Sequence, residues 1–180
     1  MGIPPGRPLA LVGLMGAGKT AVTRILGERF GVTAADLDAF IAAEEGRPIA
    51  ATFEREGEAY FRRREGEVLR QALDAGARVI ACGGGVVLDP AHRALLRDRC
   101  QVVWLEVSPA EAARRVGTGS GRPLLEGLAP EARLKALLDA RLTLYAEVAH
   151  RRVVTDGLTA EQVADAVVAA VADGAPGRSR

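Results

Sequence analysis

The chain has 180 residues, 48% apolar but only 4% aromatic, with 24 basic against 23 acidic side chains and a net charge of +1. That length suits one domain with a sizeable core, and the charge balance gives no electrostatic reason to expect nucleic acid or an anionic membrane as partner. No segment approaches the roughly 18 consecutive apolar residues of a spanning helix, and Met1 to Pro8 holds no apolar leader, so the expectation is a soluble, cytoplasmic protein.

Leu9 to Val12 reads as a buried strand, followed by G-L-M-G-A-G-K-T at Gly13 to Thr20 and then the helical run Ala21 to Leu26. Strand, glycine-rich turn and helix are the context that a G-x-x-x-x-G-K-[ST] phosphate-binding loop requires. The glycines let successive N–H groups, among them those of Gly16, Ala17 and Gly18, turn inward. The helix N-terminus adds partial positive charge, and Lys19 can reach the β- and γ-phosphates. Thr20 would place its hydroxyl on Mg²⁺. Only Lys19 and Lys135 are lysines among the 24 basic residues, so the lysine kept inside the loop stands out.

A helix from about Gly18 to Phe30 is expected to end at Gly31. Val32 to Leu37 reads as the second strand, which would put Asp36 and Asp38 on one face near its carboxyl end. Phe40 to Glu45 looks helical and is broken by Gly46-Arg47-Pro48. Two more helices follow, Ile49 to Arg55 and Glu58 to Ala75, the second placing Arg62 and Glu65 three apart on one face. Val79 to Cys82 is a buried strand running into Gly83-Gly84-Gly85, where another backbone or a ligand approaches too closely for side chains.

Asp89-Pro90 starts a helix to about Arg99, Gln101 to Val107 is the fourth strand, and Ser108-Pro109-Ala110-Glu111 caps the next helix. The glycine-rich stretch after it delivers Arg122 and has the mechanics of a lid, at about 117–126. Pro130 to about Ala149 reads as one long helix. Arg152 to Thr155 is the last strand, and Thr159 to Ala172 a closing amphipathic helix. Cys82 and Cys100 form no C-x-x-C pair and read as small buried residues in a reducing compartment. The expected architecture is a single domain over 1–180 with a core at about 8–173 and a frayed tail at 174–180. Its five parallel strands lie in a three-layer α/β/α sandwich.

The parts suit phosphoryl transfer from ATP to a small anionic alcohol. Lys19, Thr20 and the loop amides hold the triphosphate, and Asp36 supports the metal or its waters. Asp38 orients or deprotonates the acceptor hydroxyl. Arg122 closes over the phosphates and excludes water, while Arg62 and Arg141 are candidates for an anionic group on the acceptor.

The ordered set of G-L-M-G-A-G-K-T, D-L-D at 36–38, G-E-A-Y-F-R-R-R-E at 57–65, G-G-G at 83–85, R-P-L-L at 122–125 and R-L-T-L-Y at 141–145 resembles the shikimate kinase family over nearly the whole chain. The resemblance implies a nucleoside monophosphate kinase-like fold and transfer of the γ-phosphate of ATP to the 3-hydroxyl of shikimate, with Mg²⁺. It assigns Asp38 to the acceptor hydroxyls as candidate base, and Arg62 and Arg141 to the acceptor carboxylate, with Glu65 holding nearby groups. Gly83 to Gly85 would lie against the ring, Gly84 donating to it, and Arg115 would lie beside the adenine.

Two positions depart from the family pattern. Ala21 stands where many members have a second threonine on phosphate, a loss of about 0.5–1.5 kcal/mol. Thr155 to Ala160 lacks the Arg and Pro that some members place beside the adenine, leaving that contact to backbone. The alternatives are a gluconate or nucleoside monophosphate kinase and a catalytically silent nucleotide-binding relative. A monomer is the expected state.

Overall fold

In the computed structural model, which describes residues 6–117 and 129–172, the buried run Leu9–Val12 forms strand β1 at the centre of a sheet. Strands β2 (Ala34–Asp36), β3 (Val79–Ala81), β4 (Gln101–Glu106) and β5 (Arg151–Val154) complete it in the order β2-β3-β1-β4-β5, every pair parallel. Eight α-helices among the described residues cover it: α1 (Lys19–Phe30), α2 (Leu37–Glu45), α3 (Ile49–Asp74), α4 (Pro90–Arg99), α5 (Pro109–Val116), α6 (Pro130–Asp139), α7 (Leu142–Val148) and α8 (Ala160–Ala172). None is long and apolar enough to cross a membrane.

Strand residues alternate between the two faces, and the core divides accordingly. Ala10, Val12, Ile80, Val102 and Trp104 pack with Ile41, Phe61, Leu69, Leu96 and Tyr145 on one side. Leu9, Leu11, Val79, Val103 and Leu105 pack with Leu26, Ala112, Leu134, Val163 and Val167 on the other. Burying each such aliphatic side chain is worth about 1.5–3 kcal/mol, so both helical layers are held by the sheet they cover. This is the three-layer α/β/α arrangement expected from the alternation of apolar runs and capped helices.

The helix ends follow their cap residues. The Asp89 carboxylate accepts from the Ala91 amide at 2.7 Å at the start of α4, and the Ser108 hydroxyl from the Glu111 amide at 3.2 Å at the start of α5. Gly31 and Gly46 close α1 and α2. Gly57, at φ 80° and ψ 171°, interrupts α3, which agrees with the two helices expected there.

Two expectations need correction. Leu37 and Asp38 are helical, not extended, because the Asp36 side chain accepts from the Ala39 amide and caps α2. Asp36 is therefore the cap and Asp38 lies in the first helical turn. The long helix expected from Pro130 to Ala149 is two helices, broken at Ala140 and Arg141, with Arg141 at φ −120°. The expected lid beyond Gly117 and the expected frayed tail lie outside the described residues.

Candidate active site

β1 lies between β3 on one side and β4 on the other, and a crevice opens at the carboxyl ends of these strands. Because β1 and β3 are neighbours, the loops that follow them emerge together. The Cα of Gly84 points its missing Cβ to within 3.5 Å of the Gly13 carbonyl oxygen and 3.6 Å of the Met15 amide. A cavity of about 650 Å³ lies between these loops and α3.

The loop end of this cavity is built by β1 and α1. Gly13 (φ 140°) passes so close to β4 that a Cβ would lie 2.3 Å from the Leu105 carbonyl oxygen. No acidic residue occupies the first turn of α1, leaving the positive end of its dipole available to an anion. Lys19 Nζ donates to the carbonyls of Gly13 (2.8 Å) and Leu14 (3.0 Å), bending the side chain back over the loop. The Thr20 hydroxyl donates to Asp36 Oδ2 at 2.6 Å, bringing the end of β2 to the start of α1. Gly16, Gly18, Lys19, Thr20, Ala21 and Asp36 line the cavity; Ala17 is fully buried beneath it and does not.

The opposite end is a dense charged cluster. Arg62 Nη1 donates to Glu65 Oε2 at 2.7 Å, and Glu65 is 0% exposed. Its other oxygen, Oε1, has no hydrogen-bond partner among the described residues. Burial pushes the Glu65 carboxyl up to about 7, against the opposing pull of Arg62. The triglycine is moulded around this cluster. A Cβ on Gly83 would lie 2.6 Å from Glu65 Oε1 and 2.7 Å from Asp38 Oδ1, and one on Gly85 would lie 2.4 Å from Arg62 Nη2. Gly84 meets nothing closer than 3.5 Å, so side-chain crowding accounts for the outer two glycines and not the middle one.

Arg141, 8% exposed, donates to the Gly84 carbonyl at 3.2 Å, and the Tyr145 hydroxyl donates to the same oxygen at 2.5 Å. The helix break at Ala140-Arg141 brings this guanidinium to the floor of the cavity, one turn before Tyr145 on α7. Asp38, Arg62, Glu65, the three glycines and Arg141 thus line one wall system, although they span a hundred residues of sequence.

Arg115 joins the loop to the last strand. It donates to the Gly16 carbonyl at 3.2 Å, the Thr155 hydroxyl at 3.1 Å and the Leu158 carbonyl at 3.4 Å. Glu111, held down to about 2 by Arg114 and Arg115, accepts from its Nε at 2.8 Å. Arg115 also donates to the Thr155 carbonyl at 2.5 Å, so the carbonyls of Thr155 and Leu158 are already engaged by a side chain. Arg122 lies outside the described residues.

Sequence reasoning missed the apolar wall. Pro48, Ile49, Ala50, Phe53 and Phe61 line the cavity, with the Phe53 and Phe61 rings 4.4 Å apart and the Arg62 guanidinium 5.3 Å from the Phe61 ring. The available signal was the scarcity of aromatics: two of the four phenylalanines fall on the two halves of α3. Their convergence depends on the turn at Gly57, which no periodicity reveals.

A family model described as shikimate kinase matches residues 15–172. The shikimate kinase of Saccharopolyspora erythraea is 47% identical over 169 residues, covering 93% of this chain and 96% of that protein. That of Salinispora arenicola is 48% identical over 162 residues, covering 90% and 96%. Among solved structures, a shikimate kinase from Acinetobacter baumannii in complex with shikimate is 37% identical, covers 94% of both chains and superimposes with a TM-score of 0.89.

Proposed function

The chain belongs to the shikimate kinase family, and from that premise we propose that it transfers the γ-phosphate of ATP to the 3-hydroxyl of shikimate, giving shikimate 3-phosphate and ADP. The observation that carries this reading is the far end of the cavity. Two arginines, Arg62 and Arg141, stand beside a glycine floor with the Asp38 carboxylate next to it. A small polyhydroxylated ring bearing one carboxylate matches that end: guanidinium for carboxylate, carboxylate for hydroxyl, and bare backbone for the ring.

Asp38 orients the acceptor hydroxyl towards the γ-phosphate and receives its proton. Because phosphoryl transfer passes through a loose transition state, positioning is the larger part of that role. Arg62 and Arg141 hold the carboxylate at the opposite end, so the ring is fixed at two points. Glu65 keeps the Arg62 guanidinium in place. Lys19 exchanges the carbonyls of Gly13 and Leu14 for the β- and γ-phosphates, and the amides from Gly16 to Ala21 cradle them. Arg115, fixed by Glu111 and Thr155, borders the base. Arg122 is the cation assigned to cover the phosphates.

Mg²⁺ is part of the same reading. The Thr20 hydroxyl and Asp36 carboxylate, already 2.6 Å apart, are hard oxygen donors. They suit an ion that takes one or two carboxylates plus substrate phosphates and keeps several waters. When bound with ATP, Mg²⁺ would neutralise charge on the β- and γ-phosphates. Thr20 would ligate it directly, and Asp36 would hold it or its waters.

A coupled ADP-release assay with shikimate, gluconate and the common nucleoside monophosphates tests the reading. Turnover with shikimate alone is expected. Turnover only with gluconate or a nucleotide would replace it by one of those kinase activities, and none with any acceptor would favour a silent nucleotide-binding relative.

A further inference from the structure

Behind the acceptor cluster, away from the cavity, lies a histidine that the chemistry above does not use. His92, on the first turn of α4, is 3% exposed. Its Nδ1 sits 3.8 Å from Glu65 Oε2, the oxygen that also accepts from Arg62, and its Nε2 sits 3.8 Å from Asp89 Oδ2. Among the described residues Nδ1 has no hydrogen-bond partner. The ring is seated on Gly66, where a Cβ would lie 2.3 Å from Nε2. The helix α3 therefore gives up a side chain next to Glu65 to admit an imidazole.

We propose that His92 is a positioning residue of the acceptor clamp: packed on Gly66 behind Glu65, it keeps that carboxylate on Arg62 and makes the grip on an anionic acceptor depend on the protonation of the Glu65–His92 pair. This rests on the reading that Arg62 holds the acceptor's carboxylate.

Two physical arguments support it. Glu65 Oε1 is buried without a partner among the described residues, so the carboxylate gains by rotating out of its present place unless something fills the space behind it. The imidazole fills that space. At 3.8 Å the contact is too long for a hydrogen bond, so its effect is steric and electrostatic. A proton on His92 would draw Glu65 Oε2 away from Arg62 and loosen the guanidinium from the place in which it meets the acceptor. A proton on Glu65 does the same by removing the charge that holds it. Either event adds one positive charge beside the site.

Every charged group around the pair enters this balance. Glu65 faces Arg62, Asp38 and Arg141; His92 faces Glu65, Asp89, Arg62 and Arg70, with the Val86 carbonyl as a further acceptor. Burial raises the Glu65 carboxyl to about 7 and lowers the His92 imidazole, so burial favours the neutral form of each.

The test combines kinetics with a direct titration. The expected result for His92→Asn is a shikimate KM raised about three- to tenfold with kcat within about twofold. Its pH profile of KM should inflect at a different pH from wild type. His92→Gln, which keeps length and a donor but cannot titrate, should recover KM and not the inflection. An unchanged KM profile in both variants, or equal loss of kcat and kcat/KM, would overturn the proposal. His92 and His150 are the only histidines, so their ring protons can be followed by NMR in the unliganded protein. Glu65→Gln should move the His92 titration and leave that of His150 in place; no movement overturns the coupling, whichever acceptor the enzyme uses.

Discussion

Arg62 donates through Nη1 to Glu65 Oε2 at 2.7 Å, one turn apart on α3, and the carboxylate is wholly buried while the guanidinium still reaches the cavity. The pair explains how an arginine with a long, mobile side chain is held ready at one end of the site. Charge-assisted hydrogen bonds of this kind contribute about 1.5–3 kcal/mol, so Arg62→Ala should raise the shikimate KM about 10- to 100-fold. The KM for ATP and kcat should change little. Steady-state kinetics with each substrate varied in turn checks this, and an equal rise in the KM for ATP would place Arg62 elsewhere in the reaction.

The glycine triplet gives a graded prediction. Gly85 has φ −101°, which any residue adopts, so Gly85→Ala acts only through the methyl group driven against Arg62. It should reproduce the kinetic signature of Arg62→Ala. Gly83→Ala displaces both Glu65 and Asp38 and should reduce kcat as well as raise KM. Gly84→Ala meets only ordinary contacts in the free protein and should be the mildest for thermal stability. Kinetics and melting curves of the three variants would refute this reading if Gly84→Ala melted lowest.

Asp38→Asn keeps the size of the side chain and its place in the first turn of α2 while removing its charge. Proton acceptance by a positioned side chain contributes about 10²- to 10⁴-fold, and kcat should fall within that range, nearer its lower end if orientation dominates. Single-turnover measurement separates this from slow product release. Near-normal turnover would remove Asp38 from the chemistry.

The buried Glu65 also predicts how stability depends on pH. Its carboxyl rises from an ordinary 4.5 to about 7 in the fold, so between these values the folded protein holds a proton that the unfolded chain has released. The stability from this group is fully present below about 4.5 and is lost as pH rises to about 7, by an amount of order 3 kcal/mol. Urea denaturation at pH 5 and pH 8 should show the decline, and Glu65→Gln should be flatter over the same interval. An equal slope in both proteins would mean Glu65 titrates normally.

The central strands, the caps at Asp89 and Ser108 and the loop after β1 were legible in the sequence because each is governed by neighbours within a few residues. The misreadings have the opposite character. Leu37 and Asp38 look extended until the Asp36 side chain bends back to cap α2, a competition that apolar patterning does not register. The break before α7 carries no glycine or proline, and the Arg141 side chain at the break meets the Gly84 carbonyl 57 residues away, a contact that local sequence does not register. The part expected of Gly84 accordingly came from family resemblance, and that of Arg141 from residue chemistry and resemblance together, neither from local spacing. Ile49, Phe53 and Phe61 went unnoticed as site residues because a hydrophobic wall and a hydrophobic core have the same residue types.

The site is most directly tested by a crystal structure of the protein with shikimate bound. The expected complex has the shikimate carboxylate within hydrogen-bonding distance of both Arg62 and Arg141, the ring against Gly83 to Gly85, and the 3-hydroxyl on Asp38 facing Lys19. A carboxylate turned towards the loop at Gly13 to Thr20, or a ring bound away from Asp38, would contradict it.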